Sequence, residues 1–259
     1  MPLILKKVEG PLGTLTLNNP EKRNCLSAAL IREICSALDE FEDSGVRVVI
    51  LRAQPGVKVW SAGYDVNELP HPGRDPLPYA APFGRLLRRV QRFPGPIIAM
   101  IEGGVWGGAC DLALTCDLLI GSESTSFTVT PAKIGIPYTA SGMIHFINVI
   151  GLNKAKEMFF TAAPITATDA LNAGILNHLV PASDLERFTL DLAQKILQNA
   201  PLAVRAFKRQ FALLSKGHSI DAETAERIQS YRRIVYDSED YGEGIRAFHE
   251  KRRPQFKGK

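Results

Sequence analysis

Two glycine-rich stretches, about forty residues apart, constrain this chain more than any other feature. The first covers residues 61–65 (Ser-Ala-Gly-Tyr-Asp), and the second covers residues 103–111 (Gly-Gly-Val-Trp-Gly-Gly-Ala-Cys-Asp). Each follows an apolar segment that predicts a buried strand, residues 48–51 and 96–101 respectively, and each leads toward a helix-like run. Because glycine accepts a positive φ and lets a ligand approach the main chain, both stretches are candidates for a backbone binding site.

The residues alone leave two interpretations of these stretches open. Glycine-rich turns after strands are common and mostly structural, so either stretch by itself is a weak signal. Two peptide N–H groups aimed at one point would instead form an oxyanion hole, which stabilises negative charge as it develops on an oxygen.

The ordered pair resembles the hallmark of the crotonase (enoyl-CoA hydratase/isomerase) superfamily. Residues 19–27 (Asn-Pro-Glu-Lys-Arg-Asn-Cys-Leu-Ser) resemble the family's early loop against the CoA, and residues 247–256 resemble its closing segment. The similarity spans nearly the whole chain. It implies an α/β fold with a crotonase-like ββα spiral core over residues 1–195. It also implies a C-terminal helical region over residues 196–259 that packs on neighbouring subunits, as trimers or hexamers.

The resemblance also implies an acyl-CoA site. In the family the thioester lies between two backbone N–H groups, which Tyr64 and Gly108 would supply here. Only the backbone is required, so a tyrosine side chain is tolerated at position 64. Asp65 is better explained as a cap of neighbouring N–H groups than as a catalytic acid. The residues that the resemblance places against the substrate are Arg23, Cys25, Ala62, Tyr64, Asp65, Val66, Asn67, Glu68, Gly108, Thr130 and Lys251.

The sequence departs from the hydratases of this family at their two catalytic glutamates. The first position holds Asp111, which is one methylene shorter, and the second falls near residues 130–132 (Thr-Pro-Ala), where there is no acid. General acid–base catalysis needs a group within hydrogen-bond reach of the transferred proton, so these residues argue against hydration. Asp111 itself remains open to interpretation as an acid, a helix-start carboxylate or a buried hydrogen-bond partner.

Other segments resemble the branch of the family that decarboxylates methylmalonyl-CoA. They are residues 105–108 (Val-Trp-Gly-Gly), 130–131 (Thr-Pro), 135–138 (Gly-Ile-Pro-Tyr) and 236–241 (Tyr-Asp-Ser-Glu-Asp-Tyr). This resemblance implies a carbon–carbon lyase that releases CO₂ from methylmalonyl-CoA, or a close malonyl-type thioester, through an enolate held in the oxyanion hole. It places a functional hydroxyl at Tyr138, which by sequence alone is equally well a packing aromatic.

The decarboxylase interpretation requires no metal or cofactor besides the CoA of the substrate, because the thioester itself is the electron sink. Two alternatives remain: another crotonase activity such as hydration or isomerisation, and a non-catalytic crotonase-fold protein that binds acyl-CoA or RNA. The acyl chain, its stereochemistry and the donor that reprotonates the enolate are left open by the sequence.

The net charge of +4 is concentrated at the C-terminus, where residues 245–259 hold six basic groups and one acid. Such a tail predicts a solvated helix end or a phosphate contact, and the resemblance implies that Lys251 meets the CoA phosphates. Aromatic residues do not interleave regularly with basic ones, so nucleic-acid binding is disfavoured.

The four cysteines show no Cys-x-x-Cys spacing, and the five histidines show no metal-ligand spacing. No apolar run is long enough to span a membrane. A cytoplasmic protein in a reducing compartment is therefore expected, with a removed organelle presequence left open.

Up to residue 121 the predicted strands alternate with turns and helices, and this alternation predicts a layered, largely parallel α/β core. The predicted strands cover residues 3–9, 12–18, 47–52, 96–101, 117–121 and, later, 175–180. The predicted helices cover residues 28–42, with Ser27 as the N-cap, and residues 83–92, 107–115, 139–150, 152–161, 167–173, 183–199, 202–216 and 220–236. Residues 70–82, rich in proline, predict a loop that is a candidate lid. Apolar stripes on the last two helices predict core positions; they comprise Phe207, Phe211, Leu214, Ile228, Tyr231, Ile234 and Val235.

Overall fold

The computed structural model describes residues 1–69, 78, 80–215 and 222–258, with the side chains of residues 222–225 also left out. The candidate lid at residues 70–82 therefore lies mostly outside the described residues.

Ten strands and nine α-helices occur in the described part of the chain. The strands are β1 (Ile4–Glu9), β2 (Leu12–Leu17), β3 (Val48–Ala53), β4 (Val59–Ser61), β5 (Ile97–Ile101), β6 (Gly104–Trp106), β7 (Leu118–Gly121), β8 (Ser126–Thr128), β9 (Ile165–Thr166) and β10 (His178–Leu179). The helices are α1 (Ala28–Asp43), α2 (Pro82–Arg92), α3 (Gly108–Thr115), α4 (Ala140–Thr161), α5 (Ala167–Asn172), α6 (Leu185–Leu197), α7 (Pro201–Leu214), α8 (Ala222–Tyr236) and α9 (Glu239–His249).

The strands form two sheets. The larger has the order β1-β2-β3-β5-β7-β10, in which β1 and β2 form an antiparallel hairpin and every other pair is parallel. The smaller has the order β4-β6-β8-β9 and is parallel except for β9. The larger sheet confirms the predicted parallel α/β core. The smaller sheet was not predicted, because its strands are two or three residues long and β6 lies inside the second glycine stretch.

The central strands β3 and β5 of the larger sheet are buried on both faces. Alternate residues of β3 point to opposite sides, so Val49 and Leu51 join the cluster that includes the buried stripe of α1, whereas Val48 and Ile50 pack with α6. A parallel strand covered on both faces needs a continuous apolar run, and β5 is buried along its whole length. These runs are the strand signals read from the sequence.

Helix boundaries follow local chemistry. Ser27 caps α1, as predicted, by accepting a hydrogen bond from the Leu30 N–H at 3.2 Å. The two helices predicted over 139–150 and 152–161 are both present as the two segments of α4. The chain leaves the helical conformation between them at Gly151, where φ is 74° and ψ is 164°. Glycine adopts this positive φ without the strain that a side chain would cause.

The prediction that the apolar stripes of the last two helices are core positions is wrong for the single chain. Phe207 and Phe211 on α7 are 57% and 70% exposed, and Tyr231 and Ile234 on α8 are 60% and 67% exposed. An amphipathic helix can pack its apolar face on the chain's own core, or it can leave that face exposed to bind another surface. The spacing of apolar residues in the sequence is the same in both cases.

The final helix, α9, was not predicted, and it packs against a short 3₁₀ turn at Pro131–Ile134. A Cβ built on Gly244 would overlap the carbonyl oxygen of Ile134, so the glycine permits the close approach. Beyond α9, Arg252 binds Glu243 and lowers the pKa of that carboxyl to about 2. The C-terminal segment thus folds back onto α9, which packs on the turn at Pro131–Ile134.

We expect Gly244→Ala to destabilise the protein and loosen α9. Alanine gains about 1 kcal/mol of helix propensity over glycine. The clash with the Ile134 carbonyl costs more, because overpacking typically costs about 1–3 kcal/mol and backbone cannot move aside as a side chain can. Thermal melts and amide exchange of residues 131–135 check this expectation. Arg246→Ala, on the exposed face of α9, is the matched control, and an unchanged melt for Gly244→Ala would contradict the packing described.

Candidate active site

A cavity of about 650 Å³ lies between the N-terminus of α3, the 3₁₀ turn at Pro131–Ile134 and the chain over residues 62–69. It brings together every residue that the sequence placed in the site except Glu68 and Lys251. The Glu68 carboxylate instead accepts a hydrogen bond from the Ala28 N–H at 2.7 Å, at the start of α1.

The two glycine stretches touch at one wall of this cavity. Gly63 has φ +83°, and a Cβ built on it would lie 2.7 Å from the Gly108 nitrogen. A Cβ built on Gly108 would in turn lie 3.4 Å from the Tyr64 nitrogen. In the described part of the chain, neither the Tyr64 N–H nor the Gly108 N–H has a hydrogen-bond acceptor. Two free peptide donors therefore lie side by side, as an oxyanion hole requires.

The start of α3 makes one of these donors electrostatically favourable. Gly107 precedes the helix with φ 53° and donates its N–H to the Thr128 carbonyl at 2.8 Å. Gly108 is the first helical residue, so its N–H has no partner within the helix. The positive end of the helix dipole favours a negative oxygen at this position.

Tyr138 combines the two roles that the sequence left open. Its ring packs edge-on against Phe146 and Phe159, with centroids 6.0 and 5.0 Å away, and its hydroxyl donates to the Gly107 carbonyl at 3.3 Å. Burial, and then the charge of Asp111, raise the pKa of this hydroxyl well above its ordinary value. Tyr138 is therefore a packed aromatic that keeps a neutral O–H donor next to the start of α3.

Asp111 is both the helix-start carboxylate and the buried hydrogen-bond partner considered from the sequence. It lies in the first turn of α3, lines the cavity and has no exposed surface. One oxygen, Oδ1, is 2.7 Å from Nδ1 of His145, and the other, Oδ2, is buried without a partner among the described residues. His145 could not be recognised from the sequence, because its contact with Asp111 joins two helices across 34 residues and leaves no local signal.

Other polar groups of the cavity have structural partners. Asp65 accepts a hydrogen bond from the Asn67 N–H at 3.0 Å and caps the short 3₁₀ helix Val66–Glu68, which confirms the predicted capping role. Burial and, secondarily, Asp65 raise the pKa of the Cys25 thiol to about 11, so it stays neutral. Within the described cavity wall the turn at Pro131–Ile134 adds no carboxylate, and Glu123 instead binds the Ala182 N–H at 2.9 Å.

The described residues contain no cluster of three or more histidine, cysteine or acidic side chains that could hold a metal ion. No helix among them is both long and apolar enough to cross a membrane.

Comparison with known proteins identifies the class. A family model described as enoyl-CoA hydratase/isomerase matches residues 8–259. The chain belongs to this family, the crotonases, and the resemblance read from the glycine stretches is confirmed.

The methylmalonyl-CoA decarboxylase of Escherichia coli (strain K12) is 44% identical to this chain over 247 residues, which cover 95% of each protein. A solved structure of methylmalonyl-CoA decarboxylase in complex with 2-nitronate-propionyl-CoA is 43% identical, has a TM-score of 0.97 and covers 99% of both chains. Another, complexed with 2S-carboxypropyl-CoA, is 42% identical, has a TM-score of 0.97 and covers 100% of this chain and 99% of the other. These likenesses confirm the crotonase fold of the chain.

Proposed function

We propose that this chain decarboxylates methylmalonyl-CoA, or a close malonyl-type thioester, to give propionyl-CoA and CO₂. The main support for the proposal is that the free N–H groups of Tyr64 and Gly108 lie close together in one cavity, and the Tyr138 hydroxyl lies beside them. The likeness to methylmalonyl-CoA decarboxylases along nearly the whole chain supports it.

The chemistry follows from these groups. The bond between the α-carbon and the departing carboxylate breaks, and its electron pair moves into the thioester as an enolate. The negative oxygen that results lies between the two N–H donors, which are already oriented and cost no reorganisation during the reaction. The thioester itself accepts the electron pair, so the step asks for no further cofactor.

In this proposal the Tyr138 hydroxyl orients the carboxylate. The ring contacts with Phe146 and Phe159 hold the hydroxyl beside the start of α3, and its raised pKa keeps the O–H proton, which would turn from the Gly107 carbonyl to the carboxylate. A hydrogen bond from this donor would keep the carboxylate out of the thioester plane, so that the breaking bond overlaps the carbonyl π system. Thr130, on the same wall, would assist.

Hydration of an enoyl-CoA fits the cavity less well. Two carboxylates are needed to position and deprotonate a water. Asp111 is fully buried and bound to His145, and the turn after Thr130 supplies no second acid. Isomerisation, and non-catalytic binding of acyl-CoA or RNA, are the alternative functions that an assay must exclude.

The CoA portion would approach from the early loop. Arg23 lines the cavity, and its guanidinium lies 5.8 Å from the centre of the Trp106 ring. That arrangement suits a phosphate, because a guanidinium offers several donors in a fixed plane. Lys251 does not line the cavity of the single chain, so a contact between Lys251 and the CoA phosphates would have to form when the substrate binds or when subunits assemble.

The exposed apolar faces of α7 and α8 would pack on neighbouring subunits, as trimers or hexamers. A contiguous apolar patch of this kind marks an interaction surface. The division into a core over residues 1–195 and an assembly region over residues 196–259 rests on the same faces.

The direct test is CO₂ release from malonyl-, methylmalonyl- and ethylmalonyl-CoA, with hydration of crotonyl-CoA measured on the same protein. We expect methylmalonyl-CoA to be decarboxylated and hydration to be negligible, because the turn at Pro131–Ile134 offers no second carboxylate to act with Asp111. Hydration that rivals CO₂ release from every malonyl thioester would contradict the proposal. Retention of RNA without any turnover would favour a binding protein.

Tyr138→Phe isolates the hydroxyl, since the ring contacts are kept. A hydrogen bond to a charged group contributes about 1.5–3 kcal/mol, so we expect kcat/KM for methylmalonyl-CoA to fall about ten- to a hundredfold. Affinity for propionyl-CoA, which lacks the carboxylate, should change little. Equal losses in both quantities would mean that Tyr138 only shapes the cavity, and two unchanged values would mean that it only packs.

A further inference from the structure

The direction of the Tyr64 N–H is set by a hydrogen bond on the opposite side of its own peptide group. The N–H of Tyr64 and the carbonyl of Gly63 belong to one planar trans peptide, so the two groups point in opposite directions. The Gly63 carbonyl accepts a hydrogen bond from the Leu26 N–H at 2.7 Å, and Leu26 and Tyr64 form an isolated parallel bridge. The early loop, residues 19–27, therefore determines where this oxyanion donor points.

Asn24 fastens the early loop to strand β4, and its side chain has no exposed surface. The amide oxygen accepts a hydrogen bond from the Asn19 N–H at 2.8 Å, and the amide nitrogen donates to the Trp60 carbonyl at 3.0 Å. An asparagine side chain can make both bonds because it carries an acceptor and a donor. One end of the amide thus closes the loop on itself, and the other end ties the loop to the strand that leads to Gly63.

Ser61, the last residue of β4, makes a second connection between the loop and the first glycine stretch. Its hydroxyl is fully buried, donates to the Asn24 carbonyl at 2.7 Å and accepts a hydrogen bond from the Gly63 N–H at 3.3 Å. The Ala62 N–H adds a bond to the Arg23 carbonyl at 2.9 Å. The peptide groups on both sides of Gly63 are therefore held, one by Ser61 and the other by the early loop.

The early loop also has a backbone conformation that its residues do not favour by themselves. Arg23 and Asn24 have φ values of 52° and 48°, in the left-handed region where residues other than glycine are uncommon. Such a conformation persists only where the surrounding structure fixes it, and it concentrates at functional sites. Because Arg23 lines the cavity, the bonds that hold Asn24 fix a cavity residue as well as the Gly63 peptide.

We propose that Asn24 and Ser61 form a clamp that aims the Tyr64 N–H at the oxygen of the bound thioester. The inference rests on the proposed decarboxylation for its substrate. Neither clamp residue lines the described wall of the cavity, so both are positioning residues that act through Leu26 and Gly63. A donor that is held in place before the substrate arrives needs no reorganisation when the charge develops, which is the condition for strong oxyanion stabilisation.

The test is the carbonyl stretching band of propionyl-CoA, labelled with ¹³C at the thioester carbonyl and measured by difference infrared spectroscopy on the bound ligand. Hydrogen bonds from the two N–H donors polarise the carbonyl and move its band to lower frequency. We expect Asn24→Gly and Ser61→Ala to lose part of this displacement. Glycine accepts the φ of 48°, so Asn24→Gly removes the side-chain hydrogen bonds without adding backbone strain.

The kinetic counterpart is CO₂ release from methylmalonyl-CoA. Removal of an oxyanion donor costs about 10²–10³ in kcat, and a donor that is present but poorly aimed should cost less. We therefore expect kcat to fall by about tenfold in each clamp variant. KM should change much less than kcat, because the donor binds the developing charge more strongly than the ground-state carbonyl.

Asn18→Gly and Ser44→Ala are the matched controls. Asn18 lies one residue before the early loop and binds Gln54 and the Pro2 carbonyl, and the Ser44 hydroxyl binds the Phe41 carbonyl at the end of α1. Each control loses the same type of side chain as a clamp variant but none of the contacts to the Gly63 peptide. We expect both controls to keep the wild-type band and the wild-type kcat.

Thermal melts separate a fold that is merely weakened from a donor that is misplaced, and Ser61→Ala, which removes a single oxygen, keeps the test available if Asn24→Gly does not fold. Melting temperatures that fall while the band and kcat stay at wild-type values would overturn the clamp, and so would equal losses in the controls. A wild type that releases CO₂ without displacing the band would also overturn it. A wild type that displaces the band but releases no CO₂ would instead overturn the proposed function and leave the clamp standing.

Discussion

The close approach of the Gly63 backbone to the first residue of α3 is the contact on which the site depends. Parallel pairing of β4 with β6 brings the two glycine stretches side by side, with Ser61 opposite Val105. A side chain at position 63 would meet the Gly108 nitrogen and would also need a positive φ. The smaller sheet thus holds the peptide groups of Tyr64 and Gly108 side by side, and the larger sheet and its helices support the smaller sheet.

Two opposite electrostatic demands meet in the first turn of α3. The N–H of Gly108 must receive a negative oxygen, which the helix N-terminus favours. The same turn carries Asp111, whose buried charge would repel that oxygen and would be unfavourable without a partner. His145 supplies the partner, because its Nδ1 lies 2.7 Å from Oδ1 of Asp111. The contact between α3 and α4 therefore has consequences for charge as well as for packing.

Much of this arrangement could be predicted from sequence, and the reasons are local. The central strands β3 and β5 of the larger sheet contain continuous apolar runs, and Ser27 and Asp65 are caps predicted from neighbouring residues. Gly108 and Tyr64 were recognisable because backbone sites need glycine nearby. His145 was not recognisable, because its partner lies on another helix. Helix α9 was not predicted, because the end of the chain was interpreted by its basic charge and not by its apolar spacing. The exposure of Phe211 could not be predicted, because the spacing of an apolar stripe does not show whether that face packs on the chain's own core.

The central claim is that backbone N–H groups stabilise the enolate, and Gly108→Pro compared with Gly108→Ala tests it most directly. Proline is compatible with the first position of a helix but has no N–H, whereas alanine keeps the donor, and its Cβ would lie 3.2 Å from the Phe83 ring and 3.4 Å from the Tyr64 nitrogen. Loss of one such donor costs about 10²–10³ in kcat. We expect that loss of CO₂ release for proline, with a much smaller effect for alanine. A folded proline variant with near-wild-type kcat, or equal losses in both variants, would contradict the account.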